Sequence, residues 1–238
     1  MTKIAVITVD YKTKPSLIKN LEREIKNLGD SVKFYVINNN KKNLGYAYGI
    51  NRGLKKGLKE GAEIFLITNP DISLRGLTKD DLLEAGRYLD IWGLAMKQKG
   101  KIYFGGEIDK WRMSGGLIDE RPKNKIAEVD YVSGSLMFVK RKVVEKIGFF
   151  DESYFMYYED VDYCLRARKA GFKVGIDSVH VYLHFENSDN NKHKKYFLAK
   201  NRLRFLLRYG TIKQKFYELA RLPKTIWEYL YQLKQDCR

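Results

Sequence analysis

Ile4-Ala5-Val6-Ile7-Thr8-Val9 is a continuous apolar run near the start of the chain. A run of this kind reads as a strand buried on both faces. Pro15 then opens a helix at its first turn, with Leu17, Ile18, Leu21 and Ile25 on one side and Gly29 at its end. Val32 to Ile37 is the next strand, followed by the turn-forming Asn38, Asn39 and Asn40. A helix from about Tyr46 to Glu60 leads to the strand Ile64 to Thr68 and the turn Asn69-Pro70-Asp71. Strand, helix, strand, helix, strand in this order reads as a parallel, doubly wound α/β sheet. Ligands bind such sheets at the carboxyl ends of the strands, where Asp10, Asn38 and Asp71 fall.

Further along, Thr78 to Leu89 reads as a helix capped by Thr78, with Asp80 and Asp81 in its first turn. Short strands are expected at Leu94–Met96 and Ile102–Phe104, and a polar, mobile loop at Asp119–Glu128. Val129–Val139 reads as a strand interrupted by Gly134, and Lys142–Ile147 as a short helix ended by Gly148. Gly45, Gly49, Gly53, Gly57 and Gly61 recur every four residues, on one face of the helix after the second strand. Each interior glycine costs about 1 kcal/mol relative to Ala. Close packing on the sheet, or a ligand, must offset that. Neither G-x-G-x-x-G nor a phosphate loop ending in Gly-Lys-Ser/Thr is present.

The 238 residues allow one large domain with a short appendage, and 44% hydrophobic residues argue against disorder. The two cysteines, Cys164 and Cys237, cannot make a disulfide framework or a cysteine zinc site, so a reducing compartment is the simpler expectation. No run is long and apolar enough for a membrane span, and the first residues do not read as a secretory leader. A cytoplasmic location is therefore expected. Net charge is +16, and the excess is uneven: Lys192 to Arg238 holds 13 basic and 3 acidic residues. Such a segment points to nucleic acid, an anionic membrane or a phosphorylated partner.

Asp151, Glu152, Glu159, Asp160 and Asp162 lie close together among Phe149, Phe150, Tyr154, Phe155, Tyr157 and Tyr158. Glu159 and Asp160 are expected to open a helix reaching Ala170. They are then either first-turn partners of the helix dipole or carboxylates held at a helix start within an aromatic wall, able to take a proton from a sugar hydroxyl. His180, Tyr182 and His184 alternate on one face if that segment is a strand. A His ligand together with Asp71 would suit a divalent metal carrying a diphosphate.

Four segments then resemble a known family: IAVITVDYK at 4–12; Val36–Gly53, with NNNKKNLGYAYGINRG; FLITNPDI at 65–72; and Val132–Val174, with GFFDE followed by EDVDYCLR. HVYLHFENS at 180–188 extends the match, which spans about residues 3 to 190. The sequence resembles the family 2 glycosyltransferases of the GT-A fold, close to the rhamnosyltransferase-like group. The resemblance implies a Rossmann-like nucleotide-binding half at residues 1–75 fused to an acceptor and catalytic half at 76–190, with a basic helical extension at 191–238. It implies inverting transfer of one sugar from a nucleotide-diphosphate sugar to an acceptor hydroxyl, as in surface polysaccharide, glycolipid or glycoprotein glycan synthesis. Thr8, Asp10, Tyr11, Asn38 and Asn69 would line the nucleotide. Asp71 would bind Mg²⁺ or Mn²⁺ with help from His184, Asp160 would be the general base, and Glu159 would hold the acceptor beside it. Many members have Asp where Asn38 stands, and Asn69 replaces the first Asp of a full Asp-x-Asp. The Gln-x-x-Arg-Trp signature of processive synthases is absent.

Beyond Asn190, apolar and aromatic residues are interspersed with Lys and Arg, at helical spacing from Ile212 through Leu233 with a break at Pro223. Such a segment either lies on an anionic membrane, fitting a lipid-linked acceptor, or packs on the catalytic domain with its charges solvated. The alternative to an enzyme is a nucleic-acid-binding protein on a decayed scaffold, its tail tracking a phosphate backbone. Intact Asp71, Glu159, Asp160 and His184 argue against decay.

Overall fold

The computed structural model describes residues 3–185, 192–221 and 223. In chain order the elements begin β1 (Ile4–Asp10), α1 (Pro15–Lys26), β2 (Val32–Asn38), α2 (Tyr46–Lys59), β3 (Ile64–Thr68), β4 (Ile72–Ser73) and α3 (Lys79–Leu83). A 3-10 turn (Glu84–Arg87), β5 (Ile91–Gln98), β6 (Lys101–Tyr103), β7 (Gly106–Ile108), β8 (Gly115–Leu117), β9 (Ile126–Glu128) and β10 (Leu136–Lys140) follow. The chain continues through α4 (Arg141–Ile147), α5 (Glu159–Lys169), β11 (Val174–His184) and α6 (Lys192–Tyr209). The main sheet has the order β2-β1-β3-β10-β5-β11-β4. Strand β1 pairs in parallel with β2 and β3, and β11 in parallel with β5. Between these halves β10 runs antiparallel to both β3 and β5.

Residues of β1 alternate between two cores, as a strand covered on both faces requires. Ile4 and Val6 join Leu21, Ile25, Leu66 and Trp92 on one face. Ala5, Ile7 and Val9 join Ala47, Ile50, Leu54 and Phe65 on the other. The glycine face of α2 is a packing device against this second core. A Cβ on Gly49 would stand 2.7 Å from Val9, on Gly53 2.3 Å from Ile7, and on Gly57 2.8 Å from Phe65. These distances are too short for any real side chain, so α2 lies directly on β1. Gly45, with φ +98°, starts the helix where a Cβ would meet the Phe155 carbonyl oxygen at 2.7 Å.

Several elements differ from the sequence expectation. The helix expected over Thr78–Leu89 keeps its Thr78 capping box with Asp81 but tightens to 3-10 after Leu83. The buried Trp92 ring lies where a Cβ on Gly86 would stand, at 2.7 Å, and its indole N–H takes the Leu82 carbonyl at 2.8 Å. The expected loop at 119–128 ends in β9, which pairs with β11. In the expected strand 129–139 only Leu136 onward enters the main sheet. Tyr131 makes an isolated bridge to Gly106.

Helix α6 packs against α5 and the segment that precedes it. Phe205 and Leu206 are buried in the α2-side core, Phe197 stacks on Phe155 with centroids 5.1 Å apart, and Tyr209 donates to Asp162 at 2.7 Å. Arg202, Arg204 and Arg208 are all engaged, on Glu218, the Ser153 carbonyl and Asp151 respectively. Leu203, Leu207, Ile212, Phe216 and Leu219 remain exposed. Of the helical spacing expected through Leu233, residues 212–221 are helical and the rest lies almost wholly outside the described residues. Among the described residues, no helix is long and apolar enough to cross a membrane.

Candidate active site

The carboxyl ends of β1, β2 and β3 open on one side of the sheet, as expected. Asp10 and Asn38 are register partners at the ends of β1 and β2. Asn40 links them, donating from its side chain to Asp10 at 2.7 Å and from its backbone to the Asn38 side chain at 3.0 Å. Tyr11 is exposed beside them, so Asp10, Tyr11 and Asn38 form an accessible polar corner. Thr8 does not belong to it. Its side chain is fully buried and its hydroxyl has no partner among the described residues, because both faces of β1 are covered.

The second corner forms where β4 pairs with the end of β11. His184 is the register partner of Ile72, and the Phe185 N–H donates to the Asp71 carbonyl at 2.8 Å. This pairing brings His184 Nε2 to 3.5 Å from Asp71 Oδ1 and 3.4 Å from Asn69 Nδ2. Gln98, at the end of β5, contacts His184 Nδ1 at 3.2 Å. The atom placed there is the amide nitrogen; the opposite amide orientation, with the oxygen at Nδ1, is the one that leaves the Nε2 lone pair toward Asp71. Asp71 is partly exposed and His184 nearly buried; a carboxylate and an imidazole side by side would suit a divalent cation that takes its remaining ligands from a diphosphate. Sequence reasoning did not find Gln98, since only the β5–β11 pairing brings it to His184.

The third corner is the start of α5. Asp160 Oδ2 accepts from the Gly134 N–H at 2.9 Å, and Oδ1 accepts from the Val161 N–H at 2.9 Å. Burial raises the Asp160 pKa, and the two N–H groups oppose that rise. Glu159 is 5% exposed, with Oε2 lacking a partner among the described residues. Burial, then the charge of Asp160, pushes its carboxyl well up. Burial thus raises both carboxyls, Glu159 strongly, and of the two it is Asp160 that has the Gly134 and Val161 N–H partners, which favour its charged form. Glu159 is too buried to hold an acceptor directly. Asp162 is fully buried and structural, bonded to Arg166 at 2.8 Å and to Tyr209.

Gly134 and Ser135 join the second and third corners. The Asn69 N–H donates to the Ser135 carbonyl at 3.0 Å, while Gly134 donates to Asp160. Tyr46 donates to the Gly134 carbonyl at 2.9 Å, and Tyr182 shares a 2.6 Å hydrogen bond with Ser135. Burial, followed by the neighbouring acidic groups, raises the Tyr46 phenol well above its usual value. These groups therefore form one hydrogen-bonded cluster. Tyr46 and Gly134 carry no local sequence signal beyond the adjoining Asn-Leu-Gly and Ser-Gly-Ser, whereas Tyr182 lies in the alternating pattern with His184.

His180 does not share the face of His184. A register shift in β11 between Asp177 and Val181 turns it aside, to Asp177 at 2.9 Å and Asp81 at 3.1 Å. With Asp177 and Glu84 it brings potential metal-ligating atoms within 4.8 Å of one another. Glu84 is already paired with Lys125, and Asp177 accepts backbone N–H groups from Val179 and His180.

No known protein family profile matches the chain. Curated relatives do. The low-salt glycan biosynthesis hexosyltransferase Agl10 of Haloferax volcanii is 27% identical over 74% of this chain and 66% of its own length. Rhamnosyltransferase WbbL of Escherichia coli is 28% identical over 54% of each. The N-acetylglucosaminyl-diphospho-decaprenol L-rhamnosyltransferase of Mycobacterium tuberculosis is 29% identical over 61% of this chain and 57% of its own. The chain thus spans only about half to two thirds of these relatives. Among solved structures, GalNAc-T7 with UDP, GalNAc and Mn²⁺ superposes with a TM-score of 0.63 at 15% identity, over 91% of this chain and 44% of that one. The mannosyltransferase PcManGT of Pyrobaculum calidifontis, with GDP-Man and Mn²⁺, gives 0.62 at 13%, over 87% and 63%. In sequence the chain is related to hexosyl- and rhamnosyltransferases, and in fold it has the GT-A architecture of glycosyltransferases.

Proposed function

We propose that the chain is an inverting glycosyltransferase that moves one sugar at a time from a nucleotide-diphosphate sugar to an acceptor hydroxyl. The observation that carries this is the Gly134–Ser135 segment, which ties the carboxylate of Asp160 to the corner of Asn69, Asp71 and His184. Asp160 takes the acceptor's proton as its oxygen attacks the anomeric carbon, and the bond to the diphosphate breaks on the opposite face. Neutral Glu159 keeps Asp160 the charged member of the pair. Asp10, Tyr11 and Asn38 receive the base and ribose, with Asn69 close by. Asp71 and His184 hold a divalent cation, Mg²⁺ or Mn²⁺, which when bound stabilises the charge of the leaving diphosphate. The curated relatives support a glycan acceptor, and one of them bears a decaprenyl-diphosphate acceptor in its name.

The same reading puts the active chain at the cytoplasmic face of a membrane, residues 1–190 catalysing and the basic segment from 191 onward meeting anionic lipid. The exposed Leu203, Leu207, Ile212 and Phe216 beside the exposed Lys200 and Lys213 support it. Binding to phosphatidylglycerol vesicles that persists after removal of residues 211–238 would leave that segment without this role. No observation favours the nucleic-acid reading, since Arg202, Arg204 and Arg208 are already engaged within the fold.

Thermal unfolding with UDP, GDP and dTDP, each with and without Mn²⁺, tests the donor site. A nucleotide at 100 times its Kd adds about 2.7 kcal/mol. A shift that needs Mn²⁺ supports the reading, and no shift with any nucleotide contradicts it.

A further inference from the structure

The two residues before Glu159 both take left-handed backbone, Tyr157 with φ +66° and Tyr158 with φ +73°. That conformation is uncommon for a bulky side chain and persists only where the surroundings impose it. No side chain caps α5 at Tyr158. The Tyr158 hydroxyl accepts from the Gly115 N–H at 3.2 Å, and the backbone of the turn itself is held from α6. Asn201, 1% exposed in the middle of that helix, donates both protons of its amide into the turn, to the Met156 carbonyl at 2.8 Å and the Tyr157 carbonyl at 2.9 Å. Asn is a poor interior helix residue and a buried amide must be satisfied, so its place here is explained by these two bonds. Phe205, one turn further along α6, packs on Tyr158 with ring centroids 5.7 Å apart.

We propose that Asn201 is a positioning residue: it clamps the Tyr157–Tyr158 turn in its left-handed form and so sets the Asp160 carboxylate on the Gly134 N–H. Its catalytic meaning rests on the reading of Asp160 as the base. On this view α6 belongs to the catalytic apparatus, although it follows the last strand of the sheet.

Amide hydrogen exchange of the whole chain tests the clamp without any substrate. In Asn201→Ala the Gly134 amide exchanges about tenfold faster or more, the effect of losing roughly one net hydrogen bond, while Ile7 and Ile67 in the sheet stay protected. Adding Tyr157→Gly, which takes the left-handed backbone without strain, restores protection at Gly134. Wild-type protection at Gly134 in folded Asn201→Ala, or failure of the glycine to restore it, would overturn the proposal. If Asn201→Ala does not fold, Asn201→Ser is read by the same criteria. Release of diphosphate from a sugar nucleotide is measured alongside: kcat falls and KM does not. Absence of release in the wild type would count against the transfer reading and leave the exchange result standing.

Discussion

The backbone N–H of Gly134 donates to Asp160 Oδ2 at 2.9 Å, and the next residue's carbonyl receives the N–H of Asn69. A carboxylate at the start of α5 and the turn after β3 are thereby fixed to one stretch of main chain. Displacement at a sugar carbon requires that arrangement, because the proton acceptor and the leaving diphosphate must be held in a fixed relation. Asp160→Asn keeps the shape, but its amide oxygen can accept from only one of the Gly134 and Val161 N–H groups, and it cannot take a proton. It lowers kcat by roughly 10²–10⁴ and leaves nucleotide affinity unchanged, which titration of the diphosphate against wild type and variant would check.

With Asp160 as the proposed base, turnover is expected to depend on pH through the same residue. Burial raises the Asp160 pKa, so the base is lost to protonation at a higher pH than for an exposed aspartate. The rate of diphosphate release therefore falls with decreasing pH through a midpoint above the ordinary carboxylate range. A flat profile down to that range would remove Asp160 from the role.

Glu159 gives a stability signature of opposite sign to a salt-bridged acid. Its folded pKa lies above the unfolded one, so the unfolded chain releases this proton first and stability is lost as pH rises toward the raised value. Glu159→Gln removes that loss. Its melting temperature exceeds that of wild type by a few degrees at pH 8 and matches it at pH 4, as scanning calorimetry at the two values would show.

Asp71 and His184 are tested as a pair. Asp71→Ala and His184→Ala each remove the Mn²⁺-dependent part of nucleotide binding and leave the Mn²⁺-independent part, read by titration with and without the ion. Equal affinity of wild type and Asp71→Ala in Mn²⁺ would contradict the assignment.

Gly53→Ala tests the seating of α2 on β1. The added methyl would stand 2.3 Å from Ile7, so either the helix or Ile7 must move. Overpacking of this kind costs about 1–3 kcal/mol, seen as a lower denaturant midpoint with an unchanged slope.

Much of this arrangement is legible in the sequence. Strands such as Ile4–Val9 and Ile64–Thr68 are continuous apolar runs, and whatever follows such a run stands at the carboxyl edge of the sheet. That logic located Asp10, Asn38 and Asp71, and the spacing of Gly49, Gly53 and Gly57 foretold a close helix–sheet contact. The same burial that made Ile4–Val9 legible also hides Thr8, which had been expected to face the nucleotide. What depends on distant pairing was not legible. The antiparallel entry of β10, the contact of Gln98 with His184 and the bulge that turns His180 away are decided between strands, and no local pattern encodes them. Asn201 and the left-handed Tyr157 and Tyr158 escaped for the same reason: neither propensity nor periodicity marks a strained turn held from another helix.

The most direct test of sugar transfer through Asp160 is proton NMR of the sugar released from UDP-, GDP- and dTDP-sugars in the presence of Mn²⁺, with water or a glycan extract as acceptor. Wild-type protein should release the diphosphate from one nucleotide class and yield the anomer opposite to that of the donor, and Asp160→Asn should yield neither while still binding the nucleotide. Retention of the donor's anomeric configuration, or equal turnover by Asp160→Asn, would contradict it.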